Sequence, residues 1–258
     1  MGRSLLDAAP MWALGVAFVL IPALGALLLG VLVRRRWPRA AQGAYKETGS
    51  HLLTQTLAIY GLVLAFVIVN QYGDYNQTRK EIQTEALNVE DLQRASQLLE
   101  PRGKAEVSQA IGVYVRRVVD EEWSAMSSGT ASPRTAAAFT ELYDVLGRNA
   151  PRDPGALLAY SNASAYLHSA HDARHRRVDA ATDTLPSMLM AFLLLGALAS
   201  VGATLLLGMR NSQLVVPMAL AGLLGFTLLL SLSLDHPFTG DSGLSSVHFT
   251  QGALAPYF

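Results

Sequence analysis

The chain has 258 residues, no formal net charge at neutral pH and no cysteine; 51% of it is hydrophobic and only 16% charged, against roughly 25% charged in soluble domains. The balanced charge, with no basic run longer than Arg34-Arg35-Arg36, argues against nucleic acid as a partner. The absence of thiols excludes disulfides and thiolate metal sites.

Mean hydropathy is +0.27, and its apolar share is concentrated in four blocks. The first, Trp12 to Val33, is uncharged throughout. A secretory signal is not expected there, because Asp7 precedes the block and RRRWPR stands where a small-residue cleavage site would be. The second runs from Leu52 to about Asn70, interrupted only by Thr54, Gln55 and Thr56; the third is Leu185 to Leu207 and the fourth Val215 to Leu234. Each approaches the ~20 residues that a helix needs to cross ~30 Å of hydrocarbon. The expected fold is all-α: four transmembrane helices with a helical extramembrane insert between spans two and three, and long helices continuous through both. The corresponding domains are 1–70 (spans one and two with their basic loop), 71–184 (the insert) and 185–258 (spans three and four with a short tail).

Tyr72 to Thr184 form the one long polar segment, and it reads as four helices. The first continues span two to Leu99 and stops before Pro101. The second covers about Lys104 to Met126, with Val107, Ile111, Tyr114 and Val118 at helical spacing. Ser132-Pro133 opens a third, which carries Phe139, Leu142 and Leu146 on one side. Pro154 suits the N-terminus of the last, expected to run into span three with a kink at Pro186. Glu121, Glu122 and Trp123 read as a charged tip with an aromatic anchor.

Basic residues suggest an orientation. The loop 34–50 carries Arg34, Arg35, Arg36, Arg39 and Lys46 against Glu47, and Arg210 lies between spans three and four. Short loops rich in Lys and Arg stay cytoplasmic, whereas long domains cross largely regardless of charge. The insert is therefore expected outside the cytoplasm.

On the outgoing helix Tyr75, Thr78, Ile82, Glu85, Val89, Leu92, Ser96 and Leu99 follow heptad spacing. On the returning helix Leu157, Tyr160, Ser164, Leu167, His171, Arg174, Val178, Ala181 and Leu185 form a second seam. Helices leaving the membrane side by side place Glu85 opposite His171 and within a turn of Arg174. A carboxylate on a packed seam needs a partner, so Glu85 is expected to pair with Arg174 or His171. His168, His171 and His175 share one helix face at a spacing that can chelate zinc. Arg174, Arg176 and Arg177 crowd them with positive charge, so a solvated or ion-paired cluster is expected and no metal. A pH-responsive role is the other reading.

No nucleophile-base-orienter set and no phosphate-binding glycine loop is evident, so neither enzymatic activity nor a cofactor is expected. Gly15, Gly25, Gly222 and Gly225 read as helix-packing positions. In span two, His51, Gln55, Ala58, Leu62, Phe66 and Val69 or Asn70 share a stripe. Leu62 and Phe66 repeated around an axis would form an apolar constriction that gates by dewetting, with Gln55 at one end and Asn70 or Gln71 at the other. One four-span subunit cannot enclose such a path, so a pore requires a ring of subunits. Alternatively, Gln55 and the threonines only link helices within one subunit.

The stretch FVIVNQYGDYNQTRKE, with Phe66, Asn70, Tyr75, Arg79 and Lys80, resembles the end of the second membrane helix of bacterial bestrophins. The chain from about Leu52 to Gly240 resembles the bacterial bestrophin-like domain membrane proteins. The residues that carry this are Arg79, Glu85 and Ala86; Tyr114 with Glu122-Trp123; Leu185-Pro186; and D-x-P-F-x-G at Asp235, Pro237, Phe238 and Gly240. The resemblance implies a bacterial cell-membrane protein and a homo-oligomer, pentameric in bestrophins, that conducts inorganic ions through a pore lined by the second helix. In bestrophins the helical region is cytoplasmic, and an arginine stands where this chain has Val67. The expected function is an oligomeric channel or channel-like membrane protein. The alternative is a membrane-anchored sensor or interaction protein that uses the helical insert.

Overall fold

The computed structural model describes residues 2–36, 46–151, 153–205 and 214–257, and every regular element among them is helical. Arg39 and Arg210, and the expected end of span three at Leu207, lie outside the described residues. Contacts divide the chain into two compact units, one of Met1–Gly73 with Thr184–Asp235, the other of Asp74–Asp183 with His236–Phe258. The helix Lys46–Ser96 contributes to both.

In the first unit four helices are long and apolar enough to cross a membrane: Met11–Arg36, the long helix, Ser187–Thr204 and Val215–Asp235. Spans one and four touch at backbone level. A Cβ on Gly225 would lie 2.0 Å from the Phe18 carbonyl oxygen, and one on Gly222 would lie 3.2 Å from Val19 Cγ1. Only glycine permits that approach. Gly15 and Gly25 face open space instead, so the packing role expected of them is not used within the subunit. Span two buries Tyr60, Leu64 and Val67 against Leu193, Ala197 and Leu224. The Tyr60 hydroxyl donates to the Leu193 carbonyl at 2.9 Å, and the ring fills the notch left by Gly196. Gln71 donates to the Ser231 carbonyl at 3.0 Å and accepts from the Ser231 hydroxyl at 2.8 Å. Apolar surroundings penalise polar groups left unpaired, and these two are paired.

In the second unit the helix Pro101–Arg117 passes through a π-helical turn, Val118–Glu122, into Trp123–Ser127. Pro133–Arg148 and Pro154–Thr182 follow, each with proline in its first turn; Ser132 caps the former by accepting from the Thr135 amide at 3.2 Å. Ile82, Val89 and Leu92 pack with Ile111, Tyr114 and Val118 and with Phe139, Leu142 and Leu146 in one core. Residues beyond span four join it. Phe249 and Leu254 are fully buried, Phe238 meets Trp123 edge-on at 5.8 Å, and the Trp123 indole donates to the Leu244 carbonyl at 2.8 Å.

Two expectations are corrected. The returning helix ends at Thr182, and a non-helical stretch precedes Ser187, where a kinked but continuous helix was anticipated. Pro186 disfavours helical geometry at Leu185, and the Leu185 amide is taken at 2.8 Å by the Asp235 carboxylate. Glu122 is not part of a charged tip: it is fully buried. The π turn inserts an extra residue and swings it inward.

Candidate functional site

Span two has two faces because its polar and apolar residues are distributed at helical period. Tyr60, Leu64, Val67 and Gln71, spaced four, three and four apart, point into their own unit. Opposite them His51, Gln55, Ala58, Leu62, Phe66, Val69 and Asn70 are all exposed, Leu62 by 74% and Phe66 by 68%. Among the described residues Gln55 bonds to no neighbouring helix: it sits on the exposed face, and Thr54 bonds back to the Ser50 carbonyl at 2.9 Å in its own helix. The helix-linking polar groups are instead Tyr60 and Gln71. Gln71 is committed to Ser231, which leaves Asn70 as the exposed amide at that end.

On the second unit's part of the same helix, the outgoing seam from Thr78 to Leu99 is buried, with Tyr75 half-buried. Arg79 and Lys80 lie on the exposed side. Of the acids nearby, Asp74 is exposed, whereas Glu81 and Glu90 are engaged. Glu81 is buried and paired with Arg176 at 3.2 Å; Glu90 accepts from Arg94 at 3.2 Å and from the Ala253 amide at 3.1 Å.

Beneath this face lies a closed charge cluster. Glu85, 0% exposed, receives Arg177 through Nε at 2.7 Å and Nη2 at 2.9 Å, a two-pronged contact, and accepts from the Tyr114 hydroxyl. Glu122 accepts from Arg177 Nη2 at 2.8 Å and from Arg174 Nη2. Two carboxylates thus meet two guanidiniums away from water. Burial, and then the charge of Glu85, push the Tyr114 hydroxyl well above its ordinary pKa. Burial works against the charge of Arg177, but Glu85 and Glu122 outweigh it and raise its pKa. Its guanidinium also lies over the Trp123 ring at 5.2 Å.

The partner expected for Glu85 is therefore corrected: it is Arg177, while Arg174 serves Glu122. The returning helix buries Ala163, Leu167, Ala170, Ala173, Arg174, Arg177 and Ala181, a face rotated by about one residue from the anticipated seam. Ser164 is exposed and Leu157 is 55% exposed. Alanines on this face let the helices approach closely and reach in with a long arginine. Arg177 was legible as an Ala163, Ala170, Arg177 heptad series, a signal hidden because alanine scores weakly as a core residue.

His171 is half-buried, with its ring 4.3 Å from His175, 5.5 Å from Phe139 and 5.8 Å from Tyr143. Burial, and then repulsion from His175, hold its pKa below the ordinary imidazole value. His168 lies 3.9 Å from Asp172. Among the described residues no group of His, Asp and Glu could hold a metal ion.

The D-x-P-F-x-G stretch is structural. Asp235 holds the Leu185 amide, the Pro237 carbonyl accepts from the Leu244 amide at 2.7 Å, Phe238 is buried, and Gly240 turns the chain at φ +72°. That angle favours glycine.

Two crystal structures of membrane proteins share this fold. One, a proline-to-alanine variant, aligns with a TM-score of 0.71 at 14% identity over 93% of this chain and 97% of its own. The other, a glycine-to-alanine variant, aligns at 0.67 and 14% identity, covering 94% of this chain and 95% of its own. No curated protein matches the sequence. The Bestrophin-like domain family matches residues 20–249, nearly the whole of the two units just described. With its four apolar helices and its helical second unit, the chain is a channel-like membrane protein that belongs to the Bestrophin-like domain family.

Proposed function

We propose that copies of this chain assemble as a ring whose axis is lined by the outer face of span two, forming an ion channel with Leu62 and Phe66 at its neck. The observation that carries this reading is the pair of faces on span two. One face is fully used inside the subunit, and the other holds two large apolar side chains in open exposure between Gln55 and Asn70. A ring of such residues makes a narrow dry barrier that a modest widening would wet. Gln55 and Asn70 would offer uncharged hydrogen-bonding groups to an ion on either side.

The exposed charges on this stretch favour anions, since Arg79 and Lys80 outnumber the exposed Asp74. Glu81, Glu85 and Glu90 are held by arginines, whereas Arg79 and Lys80 stand exposed. A positive lining concentrates anions near the mouth. The insert, residues 71–184, would extend the path outside the bilayer, on the non-cytoplasmic side by the basic loop after span one.

The test is flux of chloride and of potassium through liposomes holding the purified oligomer, comparing wild type with Phe66→Ala. Chloride flux that rises in Phe66→Ala is expected. Equal flux in wild type and variant would remove Phe66 from the pore. Absence of flux from intact oligomer, with either ion, would overturn the channel reading.

A further inference from the structure

A cavity of about 680 Å³ opens between the helices Pro101–Arg117 and Pro133–Arg148, within the ~300–1,000 Å³ typical of small-molecule sites. Ala110, Val113, Ala138 and Val145 give it an apolar floor, and two arginines and two glutamates edge it. Arg102 bonds through Nε to Glu106 at 2.8 Å, and Arg148 through Nη2 to Glu141 at 2.7 Å.

What these groups leave unused defines the ligand. Among the described residues Arg102 bonds a partner through Nε alone, so both of its terminal nitrogens remain available, and the residue is largely exposed. Arg148 likewise commits one terminal nitrogen and keeps its other donors. A guanidinium with spare, parallel N–H groups recognises carboxylates by a two-pronged contact. The glutamates differ from one another. Glu106 has both oxygens engaged, one on Arg102 and the other on the Asn149 side-chain amide at 2.9 Å. Glu141 uses one oxygen on Arg148, and its second accepts no bond among the described residues. The edge therefore offers carboxylate-binding donors and one free carboxylate oxygen, with its four charges summing to zero. A dianion would meet two glutamates, and a dication two arginines.

We infer that this cavity binds a zwitterionic amino acid with an apolar side chain. Its carboxylate lies on the arginines, its ammonium on Glu141, and its side chain on the floor between the two helices. The site is separate from the face of span two and does not depend on conduction through it.

The experiment is equilibrium binding of radiolabelled L-leucine to the full chain in lipid nanodiscs, with leucinamide and N-acetyl-leucine as competitors that each lack one charge. Leucine is expected to bind, and both competitors to be at least about tenfold weaker, the factor that a lost charged contact typically removes. Arg148→Gln and Glu141→Gln alter solvent-exposed side chains whose pairing contributes little to folding. Each is expected to weaken leucine about tenfold while the unfolding midpoint stays at the wild-type value. No leucine binding to folded protein, competitors equal to leucine, or unchanged affinity in both variants would each overturn the site.

Discussion

At the residue scale, His171 shows how packing sets a charge state. It shares its surroundings with Phe139 and Tyr143 from the helix Pro133–Arg148, and with His168, Asp172, Arg174 and His175 from its own. Desolvation and the like charges of His175 and Arg174 disfavour the imidazolium, and only Asp172 favours it. The folded-state pKa therefore lies below the unfolded value of about 6.5. Between those two values the unfolded chain binds more protons than the folded one, so stability rises with pH through that window and is lost as pH falls. Thermal unfolding measured at a series of pH values should show a shallower acid-side loss in His171→Gln than in wild type. Identical slopes would remove His171 as a source of the dependence.

At the scale of elements, three helices are tied together by the cluster of Glu85, Glu122, Arg174 and Arg177. The long helix supplies Glu85, the π turn supplies Glu122, and the returning helix supplies both arginines. Removing one partner of a buried ionic group leaves the other charged and desolvated, at a cost of about 3–5 kcal/mol. Arg177→Met should lose stability on that order, and adding Glu85→Gln should recover part of it, since the orphaned charge is then gone. A double-mutant cycle on detergent-solubilised protein measures this; strictly additive losses would show that the two residues are not coupled. The outgoing half of this arrangement was legible in the sequence, because its seam is built from large residues whose period is easily read. The four spans were legible for a different reason, the length and the near absence of charge of their apolar blocks. The returning half was not: its packed face is mostly alanine, and its break before Pro186 depends on a hydrogen bond to Asp235, 50 residues away. The burial of Glu122 was hidden because the turn that rotates it is π-helical, whereas sequence period assumes 3.6 residues per turn. Gln55, Leu62, Phe66 and Asn70 share one stripe by helical period alone, and their common exposure rests on that same regularity.

For the molecule as a whole, the question is which solution bathes the insert and its groove. Arg34, Arg35 and Arg36 end the first span, and clustered basic residues beside a span hold that loop in the cytoplasm. The second polar segment is too long for its own arginines to set topology by the same rule, and most of those in its core are neutralised by Glu85 and Glu122. The insert should therefore face away from the cytoplasm. Because the chain has no cysteine, one introduced thiol is a unique reporter. Ser161→Cys lies on the exposed side of the returning helix and Glu47→Cys is exposed at the start of the long one. A membrane-impermeant maleimide should label Ser161→Cys in intact cells and Glu47→Cys only after permeabilisation. The reverse pattern would put the insert in the cytoplasm, as in bestrophins, and would make the groove a reader of internal rather than external amino acids. In either arrangement Leu62 and Phe66 stay within the bilayer, because they lie inside the apolar segment of the long helix, and the loop charges decide only which side Arg79 and Lys80 face.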